Sequence, residues 1–276
     1  MDYTIKEIQN KLKDLLQVFH DFCEEKNLKY YMAYGTMLGA YRHKGFIPWD
    51  DDVDVYMPRD DYDKLLDFSR NGNLPKKIFL KYNETSEDII FPYAMFVDKN
   101  TTLVYEKPGE TKNMVEGLYI DVFPVTGASD NNFLAKLQSY NWYILNKKLS
   151  YSQEVAKRKN IILTLFNKYA SLFEPQSIHR KIEKNSIKNS FYNSKNLLFA
   201  PTSGGPMKKE ILGTPTLYKF EDKMFYGPEK AEKYLQHVFG DFMKLPPKEK
   251  QISHHKFGYI NLDLPFEEYK EHLASK

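Results

Sequence analysis

Trp49-Asp50-Asp51-Asp52-Val53-Asp54-Val55 places four carboxylates in five positions and then turns apolar. Like charges at ~5 Å repel by roughly 3 kcal/mol per pair at an effective dielectric of about 20. A solvated turn would relieve that repulsion, but Val53, Val55 and Met57 draw the segment toward a half-buried strand. Burial of so many carboxylates without a cation is costly. Read as a strand from Asp52 to Tyr56, the alternation puts Asp50, Asp52 and Asp54 on one face, with Asp51, Val53 and Val55 on the other. Oxygen donors of this kind suit a hard divalent ion, Mg²⁺ first and Mn²⁺ as a substitute. An EF-hand loop is excluded, because its sixth position requires glycine and this chain has Val55. An Asp-x-Asp site of a nucleotide-sugar glycosyltransferase stays open at this level.

Immediately upstream runs Tyr34-Gly35-Thr36-Met37-Leu38-Gly39-Ala40-Tyr41-Arg42-His43-Lys44-Gly45-Phe46-Ile47-Pro48. Gly35 allows close backbone approach to a phosphate, and Thr36 is expected to cap the next helix and offer its hydroxyl and N–H to an anion. Arg42, His43 and Lys44 supply cations for a diphosphate, or else a salt-bridged loop that neutralises the aspartates. Downstream, Asp121 lies among Leu118, Ile120, Val122 and Phe123, where an unpaired charge is costly. A neighbouring strand would bring it to the same metal. His254 and His255 are candidates for the acceptor or phosphate side. Pro201 to Pro206 reads as a turn, and Trp49 as packing support for the acidic loop.

The remaining pattern is that of an α/β (α+β) protein. Thr4-x-x-Glu7 is a capping box, followed by Ile5, Ile8, Leu12, Leu15, Leu16, Phe19 and Phe22 at helical spacing, so a helix is expected to about Asn27. Strands are expected at Leu28 to Ala33, Ile89 to Val97, Thr101 to Tyr105 and Leu118 to Phe123, the last stopping at Pro124. Pro58 is expected to open a helix. Residues 132–189 are mostly helical in pattern, and a helix from Pro228 should stop at Gly240. These divide the chain into a mixed-sheet core at 1–130, a helical segment at 131–195 and a C-terminal segment at 196–276 that folds back to complete the core.

With 276 residues and 42% apolar residues the chain can bury a substantial core. Its net charge of +3 argues against nucleic-acid binding without a concentrated basic patch. The basic residues from Lys147 to Lys159 read as a solvated helix face. The single cysteine, Cys23, sits on the apolar side of the first helix and reads as an inert buried thiol. No run approaches the ~20 apolar residues of a membrane span. A cytoplasmic protein is expected, and peripheral contact with a membrane is compatible with it.

Tyr34-Gly35-Thr36-x-Leu38-Gly39-Ala40-x-Arg42-His43-Lys44-Gly45-Phe46-Ile47-Pro48-Trp49-Asp50-Asp51-Asp52-Val53-Asp54 resembles the signature of the LicD/fukutin family, within the nucleotidyltransferase-fold superfamily. Ile120-Asp121-Val122-Phe123-Pro124, Tyr226-Gly227-Pro228 and Phe239-Gly240-Asp241-Phe242 extend the likeness. The resemblance implies transfer of a phospho-alcohol, often phosphocholine, from a CDP-linked donor such as CDP-choline to a hydroxyl of an envelope glycan: teichoic acid, lipopolysaccharide or capsule. It implies Asp52, Asp54 and Asp121 as metal ligands, and Asp50 as an aid to a second ion or a proton acceptor. Gly35, Thr36, Arg42, His43 and Lys44 would hold the donor phosphates. A lipid-linked acceptor would place the work at the cytoplasmic face of the membrane. Two rivals are a UDP-sugar glycosyltransferase and a catalytically silent nucleotide-binding partner in envelope assembly.

Overall fold

A computed structural model describes residues 3–86, 90, 92–105, 114–153, 169–170, 172–199, 205–253, 255 and 257–274. Helix α1 (Ile5–Glu25) begins on the expected box: Thr4 Oγ1 accepts the Glu7 N–H at 3.3 Å, and the Glu7 carboxylate accepts the Thr4 N–H at 2.7 Å. Its apolar stripe, Cys23 included, is buried. The elements that follow are β1 (Tyr31–Met32), α2 (Tyr34–Arg42), β2 (Asp54–Pro58), α3 (Arg59–Arg70), β3 (Ile78–Lys81), β4 (Ala94–Asp98), β5 (Thr102–Tyr105), β6 (Met114–Glu116) and β7 (Tyr119–Ala128). Then come α4 (Asn132–Gln153), α5 (Pro175–Ser186), β8 (Asn196–Phe199), β9 (Met207–Lys208), α6 (Lys209–Leu212), β10 (Thr216–Phe220), β11 (Lys223–Gly227), α7 (Ala231–Phe239), β12 (Phe257–Asn261) and α8 (Phe266–Ala274). The α+β class follows from this order. Among the described residues no helix is long and apolar enough to cross a membrane.

The main sheet has the order β1-β2-β7-β4-β3, with β8 added to β7 and β9 to β8. It is mixed: β2 and β7 run parallel, while β4 and β8 pair β7 antiparallel. Helix α1 covers one face, where Phe19 meets Phe96 of β4 edge-on at 5.2 Å between centroids. Burying a ring of this size contributes roughly 1.5–3 kcal/mol, so the helix is anchored by its stripe rather than by propensity alone.

Several expected boundaries move. β1 is two residues long rather than six: its ladder with β2 consists of Tyr31↔Tyr56 and Met32↔Val55. Pro58 both closes β2 and stands as the N-cap of the helix, which starts at Arg59. The strand expected over Ile89 to Val97 starts at Ala94; residues 87–89 and 91 lie outside the described set. β7 does not stop at Pro124 but continues to Ala128. The Asp121 N–H points to β2, donating to Val53 at 2.9 Å, so by alternation the nitrogen of Pro124 points the other way. On that side the neighbour changes from β4, whose last partner is Val122, to β8, whose first is Val125. A residue with no N–H therefore costs the ladder nothing there.

The C-terminal third returns to the sheet. The β10–β11 hairpin lies beside β1, and α7 packs on α2. β12 pairs β5 antiparallel. Gly240 ends α7 in the left-handed region, φ 69°, as its position in the sequence implies.

Candidate active site

The parallel register of β2 and β7 sets Asp54 opposite Asp121 and, one residue pair further along the same face, Tyr56 opposite Phe123. Side chains two apart on a strand share a face, so two carboxylates and two rings are fixed by backbone pairing alone. The opposite face takes Val55 and Val122 into the core. Asp121 Oδ1 is buried and accepts no hydrogen bond. Burial, and then the neighbouring carboxylates, push Asp54 and Asp121 well above the usual carboxylate range. Asp50, buried and beside Asp52 and Asp51, is pushed up to about 8.

Asp50 and Asp52 do not share a strand with Asp54, contrary to expectation, since β2 begins at Asp54 itself. Asp50, Asp51 and Asp52 lie on a loop folded back toward α2. The Asp50 N–H donates to Ile47 O at 2.9 Å. Gln9, buried on α1, donates to the carbonyls of both Ile47 and Asp50, at 3.2 and 2.9 Å. The loop escapes strand pairing because its polar groups are satisfied by these local bonds. A Cβ on Gly35 would stand 2.6 Å from Asp50 Oδ2, so glycine there makes room for a carboxylate rather than for a phosphate.

Asp51 anchors the loop to the C-terminal segment. It accepts from Ser253 Oγ and meets His255 Nδ1 at 3.1 Å. Although burial opposes the charge on both, these contacts hold Asp51 below the usual carboxylate range and raise His255 above the usual imidazole range. His255 is stacked on Phe257 and meets Tyr105 edge-on. It is thus at the acidic loop, although one of its nitrogens is committed to Asp51. His254 lies outside the described residues.

The glycine-threonine turn serves the strand. Thr36 does not cap α2: the cap is Ala33, with no side-chain bond. Instead Thr36 Oγ1 accepts the Asp54 N–H at 2.8 Å, which ties α2 to the first residue of β2 and leaves the hydroxyl proton free to donate. Tyr34 adopts φ 40°, a conformation costly for a non-glycine residue, and its N–H donates to Tyr234 Oη at 2.9 Å. Arg42 donates to Phe242 O at 2.8 Å and to His43 Nε2 at 2.9 Å. Lys44 is exposed and donates to Tyr41 O at 3.1 Å. Among the described residues no ion pair joins Arg42, His43 or Lys44 to Asp50, Asp51, Asp54 or Asp121; Asp51 pairs with His255 instead. Trp49 packs against the core, as expected.

Rings crowd the carboxylate face. Tyr34 meets Tyr56 at 5.1 Å and Phe123 at 5.5 Å, and Tyr93 meets Phe123 at 4.6 Å. Tyr93 feels the charges of Asp121 and Asp54, after the larger effect of its burial. Gln9, Ser253 and Tyr93 escaped the sequence reading, which placed Asp51 on the valine face of a strand without its partners Ser253 and His255. Only Gln9 left a signal, an amide on an otherwise apolar helical stripe.

Among the described residues no three His, Cys, Asp or Glu side chains are gathered tightly enough to form a closed metal cage. The donor set fits Mg²⁺ nonetheless. A buried, unpartnered Asp121 oxygen beside Asp54 is a costly arrangement that a cation relieves. Mg²⁺ takes one or two carboxylates and fills its shell with water and phosphate oxygens.

Residues 27–162 match the family model described as LicD/FKTN/FKRP, nucleotidyltransferase domain. The chain is similar to the lipopolysaccharide cholinephosphotransferase LicD of Haemophilus influenzae, at 30% identity over 273 residues, covering 91% of this chain and 96% of that protein. It is also similar to an uncharacterized protein of Rickettsia prowazekii, at 25% identity over 72% of each chain.

Proposed function

The chain belongs to the LicD/FKTN/FKRP nucleotidyltransferase family, and from that premise we propose that it transfers phosphocholine from CDP-choline to a hydroxyl of a cell-envelope glycan, releasing CMP. A lipopolysaccharide, capsule or teichoic acid precursor would serve as acceptor. The single observation that carries this reading is the pairing of Asp54 with Asp121 in the β2–β7 register, with one Asp121 oxygen buried and unpartnered. Choline is favoured over other alcohols by the rings of Tyr34, Tyr93 and Phe123 beside those carboxylates. Aromatic faces with nearby negative charge are what a quaternary ammonium selects.

The acceptor oxygen attacks the phosphorus that bears choline, the bond from that phosphorus to the oxygen of CMP breaks, and CMP leaves. Mg²⁺, when bound by Asp54 and Asp121 with Asp52, supplies neutralisation of charge on the diphosphate. Asp50 takes the proton of the attacking hydroxyl; Gly35 gives it the space to turn toward the site. The Thr36 hydroxyl, anchored on the Asp54 N–H, donates to a donor phosphate oxygen. Arg42, His43 and Lys44 hold the outer phosphate. Gln9, Asp51 and Ser253 keep the acidic loop in place, so catalysis is chiefly positioning and electrostatics.

The test is calorimetric binding of CDP-choline with Mg²⁺ beside UDP-glucose, followed by CMP release with purified envelope glycan. Selective CDP-choline binding, with CMP formed and lost in Asp54→Asn, supports the proposal. Binding of UDP-glucose alone would hand the site to a glycosyltransferase. Donor binding without any turnover would support the silent-partner reading.

A further inference from the structure

Helix α4 is apolar on two opposite faces. One face, with Ala135, Trp142 and Leu149, is buried against α5 and β8. The other carries Phe133, Leu137, Tyr140 and Ile144, spaced four, three and four residues apart and so aligned along one stripe. These side chains are 69, 51, 65 and 37% exposed. The eleven helical steps from Phe133 to Ile144 rise about 16 Å, long for an apolar strip left in water. Such exposed strips mark surfaces that meet a partner or a membrane.

The charges on the helix indicate which. Between Asn132 and Gln153 there is no Asp or Glu, while Lys136 and Lys147 flank the stripe on one side and Lys148 on the other. Lys181 of α5 stands close enough for its charge to add to burial in lowering Lys148. Beside Leu137 a cavity of about 220 Å³ is bordered by Asn141, Asn185 and Lys188, whose amides and ammonium suit the oxygens of a headgroup. Two copies of such a face would bring lysines against lysines around a two-fold axis, which opposes self-association. An apolar strip whose charged neighbours on α4 itself are all lysines matches a helix lying in the interface of an anionic bilayer.

We infer that the α4 face docks the protein on an anionic lipid surface, with Phe133, Leu137, Tyr140 and Ile144 entering the acyl boundary and Lys136 and Lys147 meeting lipid phosphates. Surface binding of this kind is independent of donor chemistry. It would bring the carboxylate site to glycans that are still attached to lipid.

Vesicle flotation tests the inference on the full chain, using phosphatidylcholine vesicles with or without about one-third phosphatidylglycerol. Wild type should float with the anionic vesicles and not with the neutral ones, and salt should weaken the binding. The triple variant Phe133→Ser/Leu137→Ser/Ile144→Ser and the pair Lys136→Glu/Lys147→Glu should each bind about tenfold more weakly. Both sets lie on exposed positions, and unchanged circular dichroism and unchanged CMP release with a soluble glycan acceptor separate this result from a failure of the transfer reaction. Absence of wild-type flotation, or equal flotation of the triple variant, overturns the inference. So does a wild-type dimer in light scattering that the triple variant abolishes, which would make a second copy the occupant.

Discussion

Asp54 and Asp121 stand directly opposite one another on adjacent parallel strands, 67 positions apart in sequence and joined by register alone. Two half-buried carboxylates in this relation, one of them with a buried oxygen that has no partner, oppose folding unless a cation or a proton is present. Their substitution should therefore separate stability from function. Asp54→Asn and Asp121→Asn should each lower CMP release by about 100-fold or more. The melting temperature of either variant, measured without Mg²⁺, should equal or exceed that of wild type. A variant that loses activity together with several degrees of stability would place these carboxylates in a structural network instead.

The same repulsion gives a pH dependence with a definite sign. Asp50 is raised to about 8, and Asp54 and Asp121 are also raised, so the folded state holds protons that the unfolded chain releases near pH 4. Without metal, stability contributed by these groups is greatest at low pH and falls as pH rises from about 4 toward 8. Mg²⁺ competes with the protons. Its addition should raise the melting temperature more at pH 8 than at pH 5.5, and EDTA should reverse the gain, as followed by differential scanning fluorimetry. An equal shift at both values would argue against the aspartates as its site.

Gly35→Ala sets a methyl group 2.6 Å from Asp50 Oδ2. The carboxylate must shift, while the helix backbone itself accepts alanine readily. Turnover should fall by about tenfold or more, with the melting temperature changed little. Unchanged turnover would remove Asp50 from the reaction.

Asp51→Ala removes the partner of His255 Nδ1 and one of the two acceptors of Ser253 Oγ, and a buried polar group left unpaired costs about 1–3 kcal/mol. Hydrogen exchange should quicken over residues 251–261 and over the acidic loop together, whereas the β10–β11 hairpin should stay protected. Exchange confined to one of the two segments would show that they are not clamped to each other.

The first helix was legible to within two residues, because a capping box and a stripe at helical period act locally: Thr4, Glu7 and the Ile8-to-Phe22 face need only each other and an apolar surface to meet. β7 was legible in place but not in length. A proline reads as a stop in one dimension, and only a change of neighbours from β4 to β8 makes Pro124 harmless. The site divides in the same way. A dense run of aspartates beside Gly35-Thr36 marks a place where charge must be managed, and that much is present in the chain itself. Its alternation misleads, since Gln9 and Ile47 hold Asp50 in a loop and strand pairing begins only at Asp54.

By itself the sequence determined the family and the α+β class, because signature residues, capping and hydrophobic period are short-range properties. The tertiary structure alone decided that Asp54 meets Asp121, that Asp51 belongs to His255, that Thr36 serves the β2 backbone, and that α4 shows water an apolar face. Those relations come from register and packing between segments tens to hundreds of residues apart, and no local pattern encodes which strand will lie beside which.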